Sequence, residues 1–356
     1  WAVNYAPTGH HFPAVWAPNA KIPAVNVTDR YTGVKAPGTR LMIEVKRGDT
    51  REEVPVTVIS DSGEILLEGT SLGPTSDINL HLSVETGSGT KAWVFAKGKD
   101  GLAIRRANVN GDTVVRLNLN ERMPDDVMVE FRALLERRFS TDSGARAEAS
   151  KVMLNMPWDE SFGERAWEAY KQSSLHDSLR AELEAKTVTT SNRTAPYLWR
   201  KVGEKPAGGW GLVIAMHGGG GTTQEFNDQQ WRGMFERYYK DHPEAGGYIY
   251  LALRAPNNEW NGFYDDAICP LVERLIKQFV IAEEVDPNRV YTLGASHGGY
   301  GAFVIGPKIP YRFAAVHASA AAATDGETKR ENLRNVRFIY MIGENDTAYG
   351  LTDRCK

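Results

Sequence analysis

Two kinds of apolar patterning divide the chain. Between roughly residues 38 and 120, apolar and polar positions alternate in short runs at 41–45, 54–59, 64–67, 80–84, 92–96 and 114–119. Period-two alternation turns one strand face inward and the other outward. Asp61-Ser62-Gly63, Lys99-Asp100-Gly101 and Asn110-Gly111-Asp112 supply turns between the runs. A β-sandwich over 38–122 is the expectation. Trp93, in alternating register, reads as core, which favours a packing or positioning role for this part over a carbohydrate-binding one.

Beyond residue 186 the apolar runs become continuous, at 212–216, 247–253, 290–293, 313–316 and 336–342. Such runs suit strands covered on both faces of a parallel sheet. Residues 186–192 and 195–202 read as the first two strands, joined near Asn192-Arg193 and followed by a polar turn at 204–209. The fold class expected over 186–356 is α/β, a doubly wound and mostly parallel sheet. Residues 123–185 read as a helical connector with helices at 125–138 and 164–185, rich in Glu, Arg, Leu and Ala. Residues 1–37, with Trp1, Tyr5, Phe12, Trp16 and Tyr31 among prolines, read as an extended arm whose aromatics anchor it or line a groove.

The chemistry concentrates at two glycine-rich joints. Gly294-Ala295-Ser296-His297-Gly298 directly follows an apolar strand and precedes Gly299-Tyr300-Gly301-Ala302-Phe303, which opens a helix. Glycines on either side of the serine permit a sharp strand-to-helix elbow that lifts the hydroxyl out of the sheet's end. Earlier, the run 212–216 leads into His217-Gly218-Gly219-Gly220-Gly221. Backbone N–H groups of Gly218 or Gly219, together with that of His297, form a candidate oxyanion hole. Alone, either motif is a common turn; both in this order point to nucleophilic acyl transfer by Ser296.

These two motifs resemble the α/β-hydrolase family over roughly residues 186–356, and within it the secreted esterase and predicted-peptidase branch. That branch has feruloyl-esterase-like, polyhydroxybutyrate-depolymerase-like and prolyl-oligopeptidase-like members. The alternating N-terminal part is similar in architecture to immunoglobulin-like or transthyretin-like domains. The resemblance implies an acid after the second strand beyond the elbow, which is Asp346 in Gly343-Glu344-Asn345-Asp346, with Glu344 as the alternative. It implies a histidine further on, whereas the last of the eight histidines is His317. The expectation is therefore that the sequence lacks a final strand and helix, with the triad histidine beyond Lys356. His317, at the end of the run 313–316, is the substitute base. A sheet ending at 336–342 would otherwise expose a long apolar edge.

After the run 247–253 comes a loop in which Arg254, Trp260 and Tyr264 are candidate substrate contacts, since loops at the carboxyl ends of parallel strands carry specificity. The substrate expected is a small-molecule or polysaccharide-linked ester. The alternatives are a serine peptidase of the prolyl-oligopeptidase-like type and a non-catalytic pseudo-hydrolase with a carbohydrate-binding β-domain.

Composition narrows the classes. A chain of 356 residues with 42% hydrophobic content exceeds a single core, and its net charge of −3 provides no basic field for nucleic acid. No apolar run is long enough to span a bilayer. No CxxC, HExxH or acidic cluster calls for a metal, and no cofactor is expected. The sequence opens at Trp1, from which removal of a signal segment and a secreted or periplasmic location are expected. Two cysteines, Cys269 and Cys355, allow one bridge at most.

Overall fold

The computed structural model describes residues 4–5, 11–12, 30–33, 39–45, 52–63, 65–73, 78–84, 90–97, 102–109, 111–119, 123–157, 160–191, 193–323 and 329–354. They fall into two compact units, Trp1–Leu175 and His176–Lys356.

The first unit begins with two short strands, β1 (Asn4–Tyr5) and β2 (His11–Phe12), paired antiparallel. Eight further strands follow: β3 (Arg30–Gly33), β4 (Thr39–Val45), β5 (Glu52–Ser60), β6 (Ile65–Gly73), β7 (Ile78–Val84), β8 (Thr90–Lys97), β9 (Leu102–Val109) and β10 (Gly111–Leu117). They form two four-stranded sheets in the orders β10-β7-β4-β3 and β6-β5-β8-β9. All pairings in these two sheets are antiparallel. Every expected run overlaps a strand, although 114–119 runs two residues past β10; β3, in the expected arm, and β9 are additions. Apart from β1, β2 and β3 the arm lies outside the described residues, as do the inward faces of β4 and β7, on which a sandwich would rest.

Helices α1 (Asp125–Phe139), α2 (Ser143–Leu154) and α3 (Glu160–Gln172) complete this unit. Asp142 caps α2 by accepting from the amides of Gly144 at 2.7 Å and Ala145 at 3.0 Å. Phe131, Leu134, Val152 and Met153 from these helices share one core with Ile59, Trp93, Phe95 and Ile104. The helices thus cover a face of the β5-β8-β9 sheet instead of merely connecting. Val56, Val58, Ala92, Val94 and Ala96 on its other face are buried too.

The second unit opens with α4 (Asp177–Glu184) and carries one seven-stranded sheet. Its strands are β11 (Thr187–Thr189), β12 (Thr194–Val202), β13 (Trp210–Met216), β14 (Tyr248–Leu253), β15 (Val285–Ala295), β16 (Ala315–Ser319) and β17 (Arg337–Met341). The order is β11-β12-β14-β13-β15-β16-β17. β12 runs antiparallel to β11 and β14, and the other five strands are mutually parallel. Helices α5 (Gln224–Gly233), α6 (Ile268–Ala282) and α7 (His297–Lys308) follow β13, β14 and β15, and a short α8 (Leu351–Arg354) closes the described chain.

The continuous apolar runs explain the layering. Leu212, Ile214 and Met216 of β13 pack with Leu271, Leu275 and Phe279 of α6 and with Tyr300 and Phe303 of α7. Ala215 turns to the opposite face and packs with Ala252 and Met234. Residues 286–289 bulge out between the pairs Trp210–Val285 and Leu212–Val290, so the polar stretch 286–289 interrupts β15 without ending it. The chain leaves β13 toward β14 on one side and returns to β15 on the other. That reversal leaves a crevice at the carboxyl ends of β13 and β15, the usual ligand position in such sheets. Among the described residues β17 is a sheet edge on which Ile339, Tyr340 and Met341 are exposed, and no helix is long and apolar enough to cross a membrane.

Candidate active site

Ser296 sits in that crevice, at the junction of β15 and α7. Its φ of 54° and ψ of −118° lie in a region that L-residues rarely adopt. Such a conformation costs about 1–3 kcal/mol and persists only where the surroundings enforce it. Here they do. A Cβ on Gly294 would run into the carbonyl oxygen of Gly298, and one on Gly298 into that of Met216. The Ser296 amide donates to the Ser319 carbonyl at 2.9 Å, and the Gly298 amide to the His217 carbonyl at 2.9 Å. The Tyr300 amide closes the first turn on the Ser296 carbonyl at 3.0 Å.

The glycine loop lies against this elbow. A Cβ on Gly218 would stand 3.5 Å from that of Ser296. Gly219, Gly220 and Gly221 have φ of 110°, 78° and 61°, the left-handed region where glycine is favoured. The Gly220 amide donates to Asn227 Oδ1 at 2.9 Å, and the Gly221 amide to the Asn258 carbonyl at 2.8 Å. Among the described residues, the amides of Gly218, Gly219 and His297 make no hydrogen bond. These three are the donors expected to face a developing oxyanion, and the loop's other amides are spent on holding it. Asn227, fully buried at the start of α5, is a supporting residue that the sequence did not reveal. Its Nδ2 also donates to Thr222 Oγ1 at 2.9 Å.

Both nearby imidazoles are structural. His217 Nε2 accepts from the Ala255 amide at 3.1 Å, so its Nδ1 carries the proton and donates to the Gly218 carbonyl at 2.6 Å. Burial pushes its pKa down to about 3. His297 Nε2 donates to the Trp260 carbonyl at 2.7 Å, while its buried Nδ1 has no partner. Burial pushes this ring down to about 4. Its ring fills the space a Gly220 side chain would need, with 2.6 Å between Cδ2 and the Cβ such a residue would carry.

The remaining site residues divide. Arg254 is 5% exposed, and its guanidinium donates to Asp228 at 2.8 Å, to the Ala255 carbonyl at 3.0 Å and to Asn258 Oδ1. The expected substrate contact is therefore corrected: Arg254 orders its own loop. Trp260 and Tyr264 instead line a cavity with Gly221 and Tyr300. Asp346 follows β17 half-buried, its amide donating to the Gly343 carbonyl at 3.0 Å, and Glu344 is exposed. His317 lies inside β16, opposite Leu293 and Ile339, with its ring 6.5 Å from that of Tyr239. Burial lowers its pKa. Among the described residues no imidazole is hydrogen-bonded to Ser296. Cys269, half-buried in α6, has its thiol pushed up to about 11 by burial, and Cys355 lies outside the described residues.

No family model matches the chain, and no curated protein matches it. Among solved structures it is similar to an acetyl xylan esterase from Aspergillus awamori, with 17% identity, 41% of this chain and 55% of that one covered, and a TM-score of 0.28. A poly(3-hydroxybutyrate) depolymerase from Bordetella parapertussis gives 17% identity, coverage of 46% and 64%, and a TM-score of 0.31. The enterobactin esterase from Shigella flexneri gives 13% identity, coverage of 82% and 74%, and a TM-score of 0.29. The chain spans about half to two thirds of the length of the first two. At these scores the likenesses carry no weight for function, which rests on the site itself.

Proposed function

We propose that this protein is an α/β-hydrolase-type serine esterase that cleaves carboxylic esters through an acyl-enzyme on Ser296. The strained backbone of Ser296, flanked by glycines that admit no side chain and adjoining three uncommitted amides, is the observation that carries this reading. Ser296 Oγ attacks the ester carbonyl, and the amides of Gly218, Gly219 and His297 stabilise the oxyanion. Collapse expels the alcohol, and water then releases the acid. Asp346 is assigned as the acid that orients the general base. The base is not assigned to His217 or His297, since among the described residues no imidazole is hydrogen-bonded to Ser296. The catalytic part is proposed to span 186–356, and 38–122 to be a β-sandwich with a packing or positioning role.

Hydrolysis of p-nitrophenyl acetate by the natural full-length protein tests this reading. Turnover that Ser296→Ala abolishes and Asp346→Asn largely removes is expected; turnover retained in Ser296→Ala contradicts it.

A further inference from the structure

We propose that the cavity beside Ser296 is a subsite for a planar aromatic group carrying a negative charge, so that the preferred substrates are esters bearing an anionic aryl group. The inference rests on Ser296 being the nucleophile. The cavity measures about 530 Å³, within the range of small-molecule sites, and is lined by Gly221, Trp260, Tyr264, Tyr300, Tyr349 and Arg354. It neighbours the elbow through Gly220 and Gly221 of the glycine loop and through Tyr300. Tyr300 is one turn along α7 from Ser296, and Gly221 ends the glycine loop.

Four aromatic rings reach this cavity from three separate segments: the loop after β14, α7, and the turn after β17. Trp260 lies 5.5 Å from Tyr300 and 6.2 Å from Tyr349, centroid to centroid. Trp260 is 43% exposed and Tyr349 75% exposed. Large apolar faces turned toward one cavity from different loops gain most from a flat apolar partner. The cation sets the second requirement. The Arg354 guanidinium stands 5.8 Å from the Tyr300 ring centre. Its Nη2 donates to the Ala323 carbonyl at 2.6 Å and its Nη1 to the Tyr349 carbonyl at 3.4 Å. Two backbone carbonyls aim the group without neutralising it, and among the described residues no carboxylate pairs with it. Arginine in that state favours an anion that can accept its remaining N–H groups. A neutral sugar would use the rings and leave the charge unanswered; a simple alkyl ester would use neither.

Calorimetric titration of the full-length Ser296→Ala protein separates binding from turnover. The probes are 2-naphthoate, its two relatives (the neutral amide 2-naphthamide and the non-planar decahydro-2-naphthoate), and methyl β-glucoside as a neutral sugar. The expected result is at least tenfold tighter binding of 2-naphthoate than of either relative. Arg354→Gln, and Tyr349→Ala at an exposed position of little consequence for folding, should each weaken it at least fivefold. Equal affinity for naphthoate and naphthamide, naphthoate binding unchanged in both variants, or tighter binding of methyl β-glucoside overturns the subsite. Failure of the wild type to hydrolyse any ester would overturn the hydrolase reading while leaving the titration standing. Hydrolysis of p-nitrophenyl acetate without discrimination among the probes would overturn the subsite alone.

Discussion

The amide of Gly298 donates to the carbonyl of His217 at 2.9 Å, joining helix α7 to the glycine loop. The His217 ring carries the linkage onward to the Ala255 amide at 3.1 Å. Three loops that meet only in the folded state are thereby held in one arrangement around Ser296.

Gly298→Ala should break this arrangement, because the added methyl meets the Met216 carbonyl, a backbone atom that cannot swing aside. A loss of about 3 kcal/mol or failure to accumulate as soluble protein is expected, in the range of severe overpacking. Gly163→Ala, in α3 with nothing within 4 Å, is the control. It should stabilise by about 0.5–1 kcal/mol, as removal of glycine from a helix interior does. Urea unfolding of both variants checks the contrast.

Backbone strain at Ser296 gives a second expectation. Glycine relieves the positive φ of 54° and alanine does not. Ser296→Gly should therefore be more stable than Ser296→Ala by about 1 kcal/mol, with both inactive. Equal melting temperatures would show that the conformation is relaxed.

The two buried histidines predict how stability varies with pH. Their folded pKa values, about 3 for His217 and about 4 for His297, lie below the unfolded value. The unfolded chain therefore binds more protons as acid is added, and stability is lost as pH falls below about 6.5. Between pH 7 and pH 5 each should cost about 2 kcal/mol. Denaturant titrations at the two values measure this, and a flat profile would mean that both rings titrate in the folded protein as they do in the unfolded chain.

Arg254→Ala should loosen the loop that carries Trp260. The substitution strands Asp228 and removes donors from the Ala255 carbonyl and from Asn258. A loss of about 2 kcal/mol is expected, typical of a broken charged hydrogen-bond set. Faster amide exchange at Gly262 and Tyr264, whose N–H groups close turns within the loop, would accompany it.

The elbow was legible in the sequence because its requirement is local: Gly294, Ser296 and Gly298 declare a turn without knowledge of the rest of the chain. The parallel strands were legible for the same reason, each being a continuous apolar run. What could not be read depends on distant partners. Arg254 looked like a substrate contact because Asp228, its ion-pair partner, lies a whole strand earlier. β9 was hidden by Arg105-Arg106, which breaks its apolar alternation. In the fold Arg106 lies 4.2 Å over the Trp93 ring and pairs with Asp61 and Glu130. Helix α2 was masked by its Ser143-Gly144 start, although Asp142 is an ordinary capping residue. Nothing local announced that the His297 ring would anchor the Trp260 carbonyl.

Treatment of the natural full-length protein with a fluorophosphonate probe, followed by intact mass and peptide mapping, shows whether Ser296 is the nucleophile. One adduct, located on Ser296 and absent from Ser296→Ala, is the predicted result. No adduct on the wild type, or an adduct on another residue, would contradict the assignment of Ser296 as nucleophile.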